Sequence, residues 1–134
     1  MPNSSAVFPG YNFVLYLKKP GGGMQPLGGF SQSTGQATKI PGTYKVGDVT
    51  LKRGVVNSSA LFDWLGAARA KTATGLREAI LTQRGANNVP ITSWKLSLAT
   101  PTKYSGPPLG GNANDVAIEE LILATERIEI VPPH

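Results

Sequence analysis

Few side chains in this sequence have the chemistry of a catalytic base or nucleophile. The chain has 134 residues, no cysteine and one histidine, His134, which is the last residue. Thiolate nucleophiles, disulfides and thiolate metal sites are therefore excluded. A histidine base, a Ser-His-Asp triad or a multi-histidine metal site would have to be built at a chain end, where residues are usually poorly ordered. We expect no catalytic residue and no metal site.

Two further groups could suggest chemistry, but structural roles explain them better. Glycines 21–23 and 28–29 lack the phosphate-binding patterns GxxxxGK[ST] and GxGxxG, so flexible turns are predicted there. Glu119 and Glu120 are adjacent in sequence, and successive strand residues point to opposite faces. They are therefore not expected to act as a carboxylate pair on one substrate. We expect no cofactor and no enzymatic activity.

Positive charge is concentrated in the first two thirds of the chain. The formal net charge is +5; up to Arg84 there are ten Lys/Arg and three Asp/Glu, giving +7, and after it three and five, giving −2. A nucleic-acid surface usually clusters basic residues with aromatic residues between them. The densest basic pairs here are Lys18-Lys19 and Lys52-Arg53, which favours solvated turns and strand ends. Only 16% of residues are charged, which is typical of a subunit covered by copies of itself.

Short strands separated by glycine and proline dominate the pattern. We predict strands over residues 11–17, 28–34, 48–53, 76–84 and 91–98. In the third of these, Val49 and Leu51 alternate with Thr50 and Lys52, which predicts one buried and one wet face. Residues 35–47, with a Pro-Gly pair in the middle, are predicted to form a long loop that makes contacts.

One amphipathic helix is predicted, from Asn57 or Ser58 to about Ala70. Its apolar residues at positions i, i+3, i+4 and i+7 are Leu61, Trp64, Leu65 and Ala68. Trp64 and, in the later hairpin, Trp94 fit the apolar periodicity and are predicted core residues.

The segment Val116 to Val131 admits two interpretations. Its length and glutamate content suit a helix, whereas its β-branched residues and its alternation from Glu126 to Ile130 favour a long strand with a bulge, which we predict. The fold class is therefore mainly β: a small antiparallel β-barrel or sandwich of six to seven strands with one flanking α-helix, as a single domain over residues 1–134. No apolar stretch is long enough for a transmembrane helix, and the N-terminus lacks an export signal, so no stable membrane insertion is expected.

Several motifs occur in the order in which one family carries them. A VTLKRG strand at 49–54 precedes LFDWL at 61–65, and KYSGP follows at 103–107. Further matches are GYNF at 10–13, GGFS at 28–31, KIPG at 39–42, Trp94, and VAIEEL at 116–121. From about Phe8 to Val131 the chain resembles the tail tube family of contractile phage tails and related contractile injection systems.

The resemblance implies a structural protein. Six copies would form a ring whose strands merge into a continuous inner barrel, and rings would stack into a hollow tube inside a contractile sheath. The implied partners are the sheath protein, baseplate or tube initiator and terminator proteins, a tape-measure protein, and phage DNA or an effector protein in the channel. The implied location is a virion tail or a contractile injection particle, assembled in the bacterial cytoplasm.

Within this interpretation, polar strand faces are the candidates for the channel wall. Ser31, Ser33, Thr50 and Lys52 are placed opposite the apolar residues of their strands and are predicted to line the channel. Small hydroxyls suit a lumen that must be wet and weakly adhesive.

Other residues are predicted to form contacts between subunits or rings. Between Ser33 and Lys39 the chain lacks the acidic, Arg-containing segment often found in the family, so contacts between rings are assigned to Tyr44, Lys45 or the termini. Glu119 is predicted at an edge or interface. The last strand has apolar residues on both faces, so Ile128 and Ile130 are predicted to pack against the core or a neighbour.

Two alternatives stay open. A type VI secretion-like tube protein would share the fold but form less stable stacks. A nucleic-acid-binding β-barrel would use the basic first two thirds of the chain, and its affinity for DNA would fall steeply with salt.

Overall fold

Strands account for most of the computed structural model, which describes residues 8–19, 21–40, 43–71, 75–110 and 114–134, and of residues 35–40 and 43–47 the backbone only. The strands within these ranges are Phe13–Lys18 (β1), Met24–Ile40 (β2), Thr43–Asn57 (β3), Arg77–Arg84 (β4), Pro90–Ser105 (β5), Asp115–Ala124 (β6) and Arg127–Val131 (β7). The described α-helix is Ser58–Arg69 (α1).

Six of these strands close into an antiparallel barrel. They pair in the order β4-β1-β2-β3-β6-β5, and β4 pairs back with β5. The long strand β5 makes this closure possible, because its first part pairs with β4 and its last part, from Thr100 to Ser105, pairs with β6. The predicted mainly β fold with a flanking helix is confirmed.

The barrel interior is filled by the apolar residues that alternate along each strand. The largest fully buried side chains include Leu15 and Leu17 of β1, Phe30 of β2, Leu51 of β3 and Leu121 of β6. Burying a side chain of this size stabilises the fold by about 1.5–3 kcal/mol. The strands therefore hold their register through one shared core, since a shift by one residue would turn these side chains to solvent.

The helix follows β3 directly and covers one end of the barrel. It begins as predicted: the Asn57 side chain accepts a hydrogen bond from the Ala60 backbone N–H at 2.9 Å, which satisfies one of the free donors of the first turn. Leu61 and Trp64 are fully buried, and Trp64 Nε1 donates to the Gly75 carbonyl at 3.1 Å. In the described ranges no helix has the length and apolarity to cross a membrane.

The closing segment is extended, as predicted, with a break. β6 and β7 lie one after the other along the same edge of β5, separated by Thr125 and Glu126. At the break, the Thr125 hydroxyl and the Glu126 backbone N–H both donate to the Ser97 carbonyl, at 2.8 and 3.1 Å. These bonds hold the bend without breaking the contact with β5.

The predicted loop over residues 35–47 is wrong for residues 35–40 and 43–47, and Pro41 and Gly42 lie outside the described residues. β2 and β3 stay paired in the described part, with Ala37 opposite Val46 and Ile40 opposite Thr43. Threonine, isoleucine, tyrosine and valine favour extended backbone, and this preference outweighs the Pro-Gly signal in the middle. We call residues 35–40 and 43–47 the arm.

Candidate functional site

The outer surface of β2, β3, β6 and the end of β5 is hydrophilic, and we call it the polar face. It lies on the opposite side of these strands from the core, so its chemistry follows from strand alternation. Its described polar residues include Ser31, Gln32, Thr34, Asp48, Thr50, Lys52, Arg53, Lys103, Ser105, Asp115, Glu119 and Glu120. Ile122, which pairs with Thr50 and Lys103, lies among them.

The alternation of buried and exposed residues along β2, β3 and β6 is interrupted at one level of the sheet. In β3, Leu51 is buried, Lys52 and Arg53 are both exposed, and Gly54 is buried again. Arg53 has φ of 53°, a left-handed conformation that is uncommon outside glycine, although β3 keeps its register with β2 and β6 on both sides of this residue. The local change of backbone conformation puts two successive basic side chains on the polar face.

The neighbouring strands show the same interruption at the same level. In β6, Glu119 and Glu120 lie between the buried Ile118 and Leu121. Both glutamates line one cleft of about 690 Å³ together with Lys52. The prediction that the two glutamates point to opposite faces is therefore wrong, because it assumed an undisturbed two-residue period.

The polar face carries a small ion-pair network. Glu120 lies between two lysines: its Oε1 is 3.0 Å from Lys103 Nζ and its Oε2 is 3.9 Å from Lys52 Nζ. Exposed pairs of this kind each contribute about 0–1 kcal/mol to stability, so their main effect is to neutralise charge on the face. The side chains of Arg53 and Glu119 make no ion pair or hydrogen bond within the described part of the chain.

Three of the four predicted channel residues lie together. Ser31 and Lys52 line the cleft, and Thr50 is on the same face of β3 as Lys52. Ser33 does not join them: it pairs with Leu51 and lines an apolar cavity with Val49. Because Ser31 and Gln32 both face outwards, the following residue turns inwards, and the prediction that Ser33 shares the polar face is wrong.

The cavity beside Ser33 marks the end of the barrel away from α1, and we call it the mouth. It has a volume of about 330 Å³ and is lined mainly by apolar side chains, including Phe13, Leu81, Trp94 and Ile128. Trp94 packs partly buried against the core, as predicted. The mouth could not be found from sequence, because its lining comes from six different strands.

The predicted contact residues are spread over several surfaces. Ile128 packs against the core inside the mouth, whereas Ile130, two residues along β7, is 77% exposed. Glu119 is exposed on the polar face. Tyr44 and Lys45 lie in the arm, and their side chains are outside the described residues.

A buried polar cluster on the wall formed by β1, β4 and β5 was not predicted. Thr82 and Ser93 share a hydrogen bond of 2.8 Å, and the His134 backbone N–H donates to Ser93 Oγ at 2.9 Å. The His134 ring packs edge-on against Tyr16, with ring centroids 4.7 Å apart. Through these two contacts, His134 packs against the barrel wall.

Tyr16 and Arg84 also interact in this cluster. Burial raises the pKa of Tyr16, although the nearby Arg84 guanidinium opposes the shift and hydrogen-bonds to the phenol. Burial likewise lowers the pKa of Arg84. Among the described residues no cluster of His, Asp or Glu could hold a metal ion.

Several solved structures share this fold. A chain in the cryo-EM structure of the anti-feeding prophage baseplate has a TM-score of 0.56 at 17% identity, covering 98% of this chain and 96% of that one. The Hcp1 protein from the E. coli EAEC 042 pathovar has a TM-score of 0.55 at 12% identity, covering 90% and 96%. At such identities the likeness shows the fold alone.

A third chain, from the sheath/tube terminator of an extracellular contractile injection system, has a TM-score of 0.50 at 17% identity, with 92% and 96% covered. No curated protein sequence matches the chain significantly. The family described as T4-like virus tail tube protein gp19 matches residues 27–129. Because this match spans well over half of the sequence, the chain belongs to the T4-like virus tail tube protein gp19 family.

Proposed function

We propose that six copies of the chain form a closed ring, that rings stack into a hollow tube, and that the polar face lines its bore. The observation that carries the proposal is the polar face itself. It is a mainly polar surface of four paired strands, with Ile122 among its polar residues, and it is backed by the apolar core. Six such faces arranged around one axis would form a cylinder with a wet inner wall.

The chain is a structural protein rather than an enzyme, as its tail tube family indicates. It is correspondingly a component of a phage tail or an injection particle. We propose that its assembly takes place in the bacterial cytoplasm, where tube, sheath and baseplate would meet.

The charges of the polar face suit passage of a large polymer. Its acidic and basic residues nearly balance: Asp48, Asp115, Glu119 and Glu120 against Lys52, Arg53 and Lys103. A wall with little net charge would neither hold DNA phosphates strongly through counterion release nor trap a charged protein. The hydroxyls of Ser31 and Thr50 add hydrogen-bonding groups without adding charge. We therefore propose phage DNA or an effector protein as cargo.

The partners follow from the assemblies in which similar folds occur. The solved structures with this fold include chains of a baseplate and of a sheath/tube terminator. We propose that this chain likewise contacts a sheath protein, a baseplate or tube initiator, a terminator and a tape-measure protein.

Negative-stain microscopy and sedimentation of the purified protein test the proposal. We expect rings with a central hole that stack into tubes as the protein concentration rises. Rings that stay separate at all concentrations would favour a type VI secretion-like ring, the alternative favoured by the likeness to Hcp1. A monomer at every concentration would contradict the proposal.

A further inference from the structure

The mouth has the size of a small-molecule site. Its volume is about 330 Å³. An engineered protein cavity of about 150 Å³ with apolar walls binds benzene, and ligand pockets in proteins measure about 300–1,000 Å³. The mouths of β-barrels are one of the places where such pockets occur. The mouth therefore has room for a molecule of one or two rings.

Apolar side chains, two of them aromatic, form the walls of the mouth. Trp94 of β5 pairs with Leu81 of β4, and Phe13 of β1 pairs with Gln83 of β4. Directly opposite residues of an antiparallel pair share a face, so these side chains point into the mouth together. Trp94 and Phe13 pack against the core but stay partly exposed. A flat aromatic ligand would take their exposed ring surface out of water, which favours binding.

Two uncharged polar side chains complete the lining, Ser33 from β2 and Gln83 from β4. Neither side chain makes a hydrogen bond within the described part of the chain, and neither has a polar atom that is buried without a partner. Both are therefore available to a bound molecule. In ligand sites, a few polar groups among apolar walls fix the orientation of the ligand.

The mouth has no charged group in its described lining. None of the described residues that line it is ionisable, whereas the cleft on the polar face contains Lys52, Arg53, Glu119 and Glu120. Moving a charge into an apolar site is costly unless an opposite charge is present there. The mouth therefore selects against ions, and its two neutral polar groups favour a ligand with a neutral hydroxyl or N–H group.

We propose that the mouth is a binding site for a small, uncharged aromatic molecule with one hydroxyl or N–H group. The rings of the ligand pack against Trp94 and Phe13, and its polar group hydrogen-bonds to Ser33 Oγ or to the side-chain amide of Gln83. All of these residues belong to one copy of the chain, and they lie on the core side of the sheet. The site is therefore independent of the proposed tube and of the polar face.

Isothermal titration calorimetry with 2-naphthol, a two-ring phenol that is neutral at pH 7, tests the site. We expect saturable binding with one molecule per chain, and at least tenfold weaker binding of 2-naphthoate, which has the same rings and a negative charge. The thermal unfolding midpoint should also rise with 2-naphthol, because a ligand that binds only the folded chain stabilises it. The absence of saturable binding to the folded wild type, or equal binding of the two probes, would overturn the proposal.

Filling the mouth tests where the probe binds. Ile128→Trp places a larger side chain in the lining of the mouth and should abolish the binding of 2-naphthol. The matched control is Leu76→Trp, at an exposed position just before β4 and at the end of that strand away from Gln83. This control should bind within twofold of the wild type. If folded Ile128→Trp binds equally well, the probe lies elsewhere and the proposal fails.

Removing the polar groups tests the ligand class, and it decides the question even if Ile128→Trp fails to fold. Ser33→Ala/Gln83→Leu should weaken the binding of 2-naphthol about 2- to 10-fold, the range for the loss of one hydrogen bond. Ser31→Ala/Gln32→Leu makes the same two changes on the polar face and should have no effect. Circular dichroism checks that each variant is folded. If folded Ser33→Ala/Gln83→Leu binds as tightly as the wild type, the assigned ligand class is wrong.

Discussion

Replacing Gly54 by alanine should destabilise the barrel strongly. Gly54 lies in β3 opposite Phe30 of β2, directly after Arg53, which has a positive φ. A Cβ atom added there would overlap the Gly29 carbonyl oxygen and lie 2.5 Å from Phe30 Cδ1. Carbon atoms in contact are normally about 3.5–4.0 Å apart, so β2 and β3 would have to separate by about 1 Å.

The site offers no easy way to relax. Phe30 is fully buried in the core, and Gly29 is held in the ladder between β1 and β3. Overpacking of this kind costs about 1–3 kcal/mol, and we expect Gly54→Ala to fall near the upper end, at about 2–3 kcal/mol. The effect is purely steric, because Gly54 does not have the positive φ that would itself disfavour alanine.

Gly66→Ala is the matched control. Gly66 lies inside α1, and an added Cβ would meet no atom within 4 Å. Alanine is favoured over glycine in a helix by about 0.8–1.0 kcal/mol, so the same chemical change should stabilise the protein here.

Urea unfolding, followed by the fluorescence of Trp64 and Trp94, measures both variants against the wild type below the assembly concentration. The two changes in unfolding free energy should have opposite signs. A loss below about 0.5 kcal/mol for Gly54→Ala would refute the close approach of β2 and β3, since that is the range of an ordinary surface change.

Three further outcomes are expected. Asn57→Ala should lower the unfolding free energy by about 1 kcal/mol in urea titrations, because the Ala60 N–H loses its cap; an unchanged value would argue against that bond. Burial raises the pKa of Tyr16, so the unfolded chain loses its phenolic proton first and stability should fall as the pH rises above about 10. Unfolding titrations at pH 8 and pH 11 measure this fall, which should shrink in Tyr16→Phe; an equal fall in both proteins would exclude Tyr16 as its source. Assembled protein should show no strongly salt-dependent affinity for short DNA in filter binding, and a steep salt dependence would support the nucleic-acid-binding alternative.

The elements that sequence could predict are those whose signals are local. The cap at Asn57 and the apolar spacing from Leu61 to Trp64 lie within two helical turns, and α1 occurs where they indicate. The alternation of Val49 and Leu51 with their polar neighbours likewise placed Thr50 and Lys52 on one face.

The parts that sequence missed depend on several strands at once. Ser33 turns inwards because β2, β3 and β6 interrupt their alternation at one level, and a count along a single strand cannot detect that. The available signal was glycine: Gly29 and Gly54 permit the close approach of β2 and β3 beside Arg53. The mouth could not be predicted for the same reason, because its lining residues come together only when the barrel closes.

The arm was missed because local signals conflicted. A Pro-Gly pair usually indicates a turn within a loop, whereas Thr43, Tyr44 and Val46 favour strand. The sequence did not show which signal would prevail, because the pairing of β2 with β3 already begins at Gly28, far from the turn. Once that register is set, each further pair extends an existing ladder.

Locating Lys52 within the assembly tests the central claim most directly. Tubes of Lys52→Cys, labelled with a small gold cluster and imaged by cryo-electron microscopy, should show gold along the tube axis. Lys95→Cys, on the outer side of β5 where Lys95 pairs with Glu78, is the matched control and should not give axial gold. Gold from Lys52→Cys on the outside of the tube, or between rings, would contradict a bore lined by the polar face.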